Sequence, residues 1–211
     1  MIGVYGGMFD PVHYGHLRAA LEVKETVGMR EVRFVPCLQP PHRREPEVGT
    51  AARLRMLELA LADAPPGFTI DRRELEREGP SYMVDTLTSI RAEIGTEPLC
   101  LVVGLDAFLA LPAWYRWRQI FRLAHVVVLQ RPEYDPDYVE DLARCVEERQ
   151  VSDPRQLHHQ PDGMIFFPEV TQLAISSTAI RQMLRKGRSA RYLLPDVVLD
   201  LILAEGLYSS P

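Results

Sequence analysis

Short apolar runs alternate with longer stretches whose apolar positions recur at helical spacing. Ile2 to Tyr5, Glu31 to Pro36, Phe68 to Ile70, Leu99 to Val103, His125 to Leu129 and Met164 to Phe167 read as strands. Between them, Leu17 to Val27 places Leu17, Ala20, Leu21, Lys24 and Val27 at helical intervals. Thr50 can cap a helix over Ala51 to Ala62, with Leu54, Leu57 and Leu61 on one face. Ser81 can cap a helix reaching Ile94, Ser176 or Ser177 opens another, and Pro195 opens the last. The segment Cys37 to Gly49 holds several prolines and two arginines, and reads as a loop. Arg131 to Pro161 is polar and charged, and reads as a surface insertion, the least ordered part, with a short helix over Pro136 to Arg149.

Strands that alternate with helices imply the α/β class: a Rossmann-like, mostly parallel sheet with helices on both faces. We expect a single domain over residues 1–211. Sheets of this kind take ligands at the carboxyl ends of their strands, so chemistry is expected in the turns that follow strands.

Composition narrows the partners. Hydrophobic residues make up 46% and charged residues 25%, with a formal net charge of -5. No basic stripe with interleaved aromatics appears, so nucleic acid is not an expected partner, and phosphate chemistry needs a local basic pocket. Cys37, Cys100 and Cys145 are odd in number and lack a CxxC pair, which argues against a disulfide framework or a zinc site. The chain begins on a strand-like run with no charged region and long apolar stretch before it, and no apolar run approaches a membrane span. We therefore expect no signal peptide, no membrane partner and a cytoplasmic location.

Three stretches carry candidate chemistry. Gly6-Gly7-Met8-Phe9-Asp10-Pro11-Val12-His13-Tyr14-Gly15-His16 follows the first strand and leads into the first helix. Glycines let backbone approach a ligand, helix-opening amides face anions, and two histidines at the helix mouth add donors on one side. Such a set can hold a triphosphate and stabilise charge on a phosphate under attack. Its spacing is neither a GxGxxG nor a Walker A loop. Ile175-Ser176-Ser177-Thr178-Ala179-Ile180-Arg181 ends a strand and starts a helix; its hydroxyls suit a cap, and Arg181 can reach back over the helix mouth toward phosphates. Pro40-Pro41-His42-Arg43-Arg44 is a basic loop.

The first run closely resembles the H-x-G-H signature of the nucleotidylyltransferase superfamily, and the second matches that superfamily's I-S-S-T-x-I-R motif. The resemblance implies a nucleotidylyltransferase-type fold and phosphate contacts from His13, His16 and Arg181, named as catalytic. It further implies an ATP site over Gly6, Gly7, Phe9, His13, His16, Arg43, Gly104, Asp106, Ile175, Ser176, Ser177, Thr178 and Arg181. His42 is a weaker phosphate candidate than Arg43. Asp106, in Gly104-Leu105-Asp106, is implied to contact the ATP ribose. The reaction implied is direct in-line attack on the α-phosphate, with no protein nucleophile and with Mg2+ bridging the phosphates; no metal ligands of the protein's own are expected.

The acceptor is read from further stretches. Pro80-Ser81-Tyr82-Met83-Val84-Asp85-Thr86-Leu87 resembles the P-S-Y-T-x-x-T-L segment of bacterial nicotinate mononucleotide adenylyltransferases, with Met83 where threonine is usual. Leu111-Pro112-Ala113-Trp114-Tyr115-Arg116-Trp117 resembles their L-P-x-W-x-x-W pattern. By that resemblance Tyr82, Thr86 and Trp117 bind the acceptor, Trp117 stacks on its pyridine ring, and Trp114 is mostly structural. The implied substrates are ATP and nicotinate mononucleotide, giving deamido-NAD and pyrophosphate. Nicotinamide mononucleotide or another phosphate acceptor, and a catalytically silent nucleotide sensor, stay open as alternatives. Nothing in the sequence marks an oligomer interface.

Overall fold

Alternate residues of a strand face opposite sides of its sheet. In β1 (Ile2–Gly7) this sends Ile2 and Val4 into one apolar layer and Tyr5 into another. Both faces are covered, which is why the strands read as continuous apolar runs. The computed structural model describes residues 1–39, 45–129, 138–171 and 173–209.

After β1 come α1 (Tyr14–Val27), β2 (Glu31–Pro36), α2 (Thr50–Leu61), β3 (Phe68–Ile70), α3 (Met83–Ile94) and β4 (Leu99–Gly104). Two short helices follow, α4 (Leu105–Leu109) and α5 (Trp117–Ile120), then β5 (His125–Leu129), α6 (Glu140–Arg149) and β6 (Gln150–Val151). β7 (Ile165–Phe166), α7 (Ser177–Arg185) and α8 (Asp196–Ala204) complete the order. The strands form one 7-stranded sheet in the order β3-β2-β1-β4-β5-β7-β6. Every strand pair among the described residues is parallel.

One layer packs α1, α2, α7 and α8 on Tyr5, Phe34, Val102 and Val127. The other packs α3, α4, α5 and α6 on Val4, Val35, Leu101 and Val128. The chain lays β1, β2 and β3 toward one edge and then returns to set β4 on the other side of β1. The connections leaving β1 and β4 therefore diverge, and a crevice opens at their carboxyl ends.

Several element boundaries differ from the sequence reading. β1 continues past Tyr5 because Gly6 and Gly7 keep pairing with Val35 and Pro36. α1 starts at Tyr14, so His13 is its N-cap and His16 lies in its first turn. Thr50 and Ser81 are not caps: Gly49 and Tyr82 hold those positions. The Thr50 hydroxyl instead accepts a bond from Arg53, and Ser81 Oγ accepts from the amides of Leu38 and Gln39. The stretch expected as a surface insertion supplies the edge strand β6, which pairs with β7. Its Leu142 and Leu157 are fully buried, one in each apolar layer. Sparse apolar residues at helical spacing in a charged segment hid that contribution. Residues 130–137, which include the start of the helix expected from Pro136, lie outside the described residues.

Candidate functional site

A cleft of about 910 Å³ lies over the carboxyl ends of β1 and β4. Gly6, Gly7, Phe9, His13 and His16 line it from the first turn, Gly104 and Asp106 from the β4 end, and Ile175 to Thr178 with Arg181 from the start of α7. The structure thus brings both phosphate motifs to one opening, although 159 residues of chain separate His16 from Ile175. Arg43 lies outside the described residues, as do His42 and Arg44.

The two histidines form a stacked pair, with ring centroids 3.7 Å apart and planes tilted by 30°. The His13 amide donates to His16 Nδ1 at 3.3 Å. A neutral imidazole that accepts at Nδ1 carries its proton on Nε2, so His16 presents an N–H donor. His13 is 4% exposed, and its Nδ1 has no partner among the described residues. A Cβ on Gly15 would stand 2.9 Å from that atom, so glycine leaves the His13 ring its place.

Burial pushes the His13 imidazole down to about 4. It also holds His16 well below the usual histidine range, reinforced by repulsion from His13. Both rings are therefore neutral donors at pH 7. The helix mouth itself is less open than the sequence reading expected. The Tyr14 amide donates to the Leu193 carbonyl, and the His16 amide donates back to the His13 carbonyl. The imidazoles, more than a row of free amides, are what this turn offers an anion.

Arg181 enters the cleft from α7. Its Nη1 donates to the Asp10 carbonyl at 2.6 Å, and Nη2 donates to Thr178 Oγ1 at 3.4 Å. Its Nε lies 3.0 Å from Glu47 Oε1, an ion pair out of line for a hydrogen bond. Glu47 also pairs with Arg185. Ser176 caps α7 by accepting from the Ala179 amide, and the Ser177 hydroxyl donates to the Pro11 carbonyl, pinning α7 to the histidine turn. Asp106 is exposed in the first turn of α4.

The far end of the cleft is lined by Ser81, Tyr82, Met83, Trp114 and Tyr115. The Tyr82 and Tyr115 rings lie 4.6 Å apart. Two acceptor candidates are placed elsewhere. Trp117 is 6% exposed and packs edge-on against Phe121, with Arg118 over its other side. Thr86 is fully buried, and its hydroxyl donates to Glu74 Oε1 at 2.6 Å. The sequence reading took the spacing of the tryptophans as one helical face. The chain there is not a single helix: Trp114 is extended and Arg116 adopts the left-handed conformation, φ 52°. That break turns Trp114 to the cleft and Trp117 to the core. Tyr115 and Glu74 also line the cleft without having been singled out; an aromatic beside Trp114 and an acid in a mixed-charge run were the only signals.

The buried neutral histidines have a consequence for stability. The unfolded chain takes up protons below a pH of about 6.5, whereas His13 waits until about 4, so the folded state loses stability as pH falls through that window. His16 and His125, both held low by burial, act in the same direction. His13 alone should account for on the order of 2 kcal/mol between pH 7 and pH 5. Urea midpoints at the two pH values check this, and His13→Asn should flatten the difference. An unchanged slope in that variant would show that the native ring titrates as it does in the unfolded chain.

The comparisons with known proteins agree on one family. The cytidylyltransferase-like family model matches residues 4–183. A protein of Methylococcus capsulatus named "Probable nicotinate-nucleotide adenylyltransferase" is 72% identical over 99% of this chain and 100% of its own. One of the same name from Halorhodospira halophila is 50% identical over 100% of this chain and 96% of its own. Among solved structures, Plasmodium falciparum nicotinic acid mononucleotide adenylyltransferase complexed with NaAD has a TM-score of 0.75, covering 98% of this chain and 96% of that one. At 16% identity it speaks for the fold.

Proposed function

The chain belongs to the cytidylyltransferase-like family, among the nicotinate-nucleotide adenylyltransferases, and from that premise we propose that it transfers AMP from ATP to nicotinate mononucleotide. The products are deamido-NAD and pyrophosphate, a step of NAD biosynthesis. The observation that carries the reading is the convergence of the stacked neutral histidines and Arg181 on one cleft, with room beside them for a second nucleotide.

In this reading a phosphate oxygen of the mononucleotide attacks the α-phosphorus of ATP in line. The new O–P bond forms as the bond to pyrophosphate breaks, and no protein group is modified. The protein's contribution is position and charge stabilisation. His16, with Nε2–H outward, donates to an α-phosphate oxygen as negative charge gathers there. His13, its Nδ1 unpaired among the described residues, contributes the neighbouring contact. Arg181 faces the departing pyrophosphate, where a planar guanidinium suits paired oxygens. Gly6, Gly7 and Phe9 shape the floor, Ser176, Ser177 and Thr178 frame the phosphates, and Gly104 with Asp106 takes the ribose hydroxyls. Arg43 is read as a phosphate contact on the strength of its motif alone.

Nucleotidyltransferase activity generally needs a divalent metal. Among the described residues no group of three His, Cys, Asp or Glu side chains is placed to hold one. We therefore read Mg2+ as entering with ATP, as part of the substrate. Among the described residues no helix is long and apolar enough to cross a membrane, and the three cysteines are free thiols. Both support a cytoplasmic location.

The pyridine ring is placed at the aromatic end of the cleft, against Trp114 with Tyr82 and Tyr115 beside it. Trp114→Ala should raise the acceptor KM about three- to tenfold, the range for a lost stacking contact, with the ATP KM little changed. Trp117→Ala should instead cost about 3–5 kcal/mol of stability as a core truncation. A raised acceptor KM for the Trp117 variant at unchanged melting temperature would exchange the two roles. The function is tested by pyrophosphate release from Mg-ATP with nicotinate mononucleotide and nicotinamide mononucleotide in parallel. Strong preference for the acid supports the assignment. Comparable rates remove the acid-specific part, and no release with either removes the transferase reading.

A further inference from the structure

Asp10 stands in the histidine turn with its side chain 2% exposed. A buried carboxylate needs its oxygens paired. Oδ1 accepts the Tyr208 phenol proton at 2.7 Å, a fully buried bond across 198 residues of sequence. Oδ2 accepts the Glu47 amide at 2.8 Å. Arg181 Nη1 reaches the Asp10 main-chain carbonyl at 2.6 Å and stays 3.7 Å from Oδ2. Arg53, 1% exposed, donates to the Met8 carbonyl at 2.8 Å and closes the turn from beneath.

Tyr208 belongs to the turn that follows α8. It is 6% exposed and holds a left-handed backbone, φ 61°, that a side chain rarely adopts. Packing in the α8 layer and the bond to Asp10 are what favour that conformation here. Its burial beside a carboxylate keeps the phenol protonated, so it is a permanent donor.

We propose that Tyr208 is a positioning residue for phosphate transfer, acting through Asp10 on Arg181. With both carboxylate oxygens taken, Asp10 offers Arg181 its carbonyl, which holds the guanidinium where it lines the cleft. Without the phenol, Oδ1 is left unpaired in a buried place, and Arg181, already 3.7 Å from Oδ2, is the cation paired with that carboxylate. A closer Asp10–Arg181 ion pair then draws the guanidinium away from the phosphates.

This rests on the adenylyltransferase reading, and the test separates the two. Tyr208→Phe keeps the ring and removes the donor. In the full chain we expect kcat for pyrophosphate release to fall about tenfold, with the KM for nicotinate mononucleotide within twofold of the parent. The loss should be non-additive with Arg181→Met, because both act through the same guanidinium. A folded Tyr208→Phe protein with kcat within twofold overturns the proposal, as does a loss that multiplies fully with that of Arg181→Met. A lower melting temperature with unchanged kcat assigns Tyr208 a structural role only. If the parent releases no pyrophosphate, the adenylyltransferase reading has failed. The positioning is then read by calorimetric titration with Mg-ATP, where Tyr208→Phe should bind about fivefold more weakly and equal affinity overturns it.

Discussion

Replacing His16 by alanine should lower turnover by about a hundredfold or more while the fold survives, the range for loss of one donor aimed at developing charge. The size of the effect follows from preorganisation. The His13 amide fixes the His16 ring through Nδ1, the His13 ring stacks on it, and burial keeps it neutral. Its Nε2–H therefore points one way before substrate arrives and needs no rearrangement during the reaction. The structural cost of removing the ring is about 1 kcal/mol, that of one lost helix-start hydrogen bond. Circular dichroism melting with single-turnover pyrophosphate release separates the two effects. Turnover within a few-fold of the parent in a folded variant would sink the role. Because the ring works as a neutral donor, the acidic limb of kcat should fall below the usual histidine range.

Arg181→Met should lower kcat/KM for ATP by about a hundredfold, again the scale of one lost charge-stabilising donor. Methionine keeps much of the apolar stem, so the packing of α7 changes little. What disappears is the cation lining the cleft and the partner of Glu47 and the Asp10 carbonyl. Arg181→Lys should recover only part of the rate, because an ammonium replaces a planar fork with a point charge. A lysine variant equal to the parent would mean that charge alone, without geometry, is what the site uses. Equal activity in the methionine variant would place the phosphates away from α7.

Much of this site was legible because its parts are local. Gly6 to His16 is a strand, a turn and a helix start in one uninterrupted run, and Ile175 to Arg181 is a helix start with its arginine one turn in. Local geometry decides where such residues point, so their types and spacing were enough to read them together. The same holds for the sheet, where apolar runs buried on both faces announce parallel strands. The resemblance to a known family added the acceptor, which neither phosphate motif specifies.

Other features depended on what the chain meets after folding. The spacing of Trp114 and Trp117 suggested one helical face, but the left-handed Arg116 parts them, and a single non-glycine residue gives no sign of that in sequence. Thr86 matched its motif, yet its hydroxyl is spent on buried Glu74. Ser81 and Thr50 had the composition of caps and serve as partners for a loop and an arginine. The segment after residue 138 looked like a polar appendage because an edge strand of two residues and a few core side chains are sparse within a charged run.

The sequence by itself determined the class of fold, the order of most strands and helices, and the two motifs that meet at the cleft, since each rests on hydrophobic period or on contacts within a few residues. Only the tertiary structure decided which aromatic residues face the cleft and that both histidines are stacked, buried and neutral. It alone joined Asp10 to Tyr208 and to Arg181. Those outcomes turn on burial and on partners far apart in the chain, and a linear order of residues does not encode which distant groups will share one desolvated space.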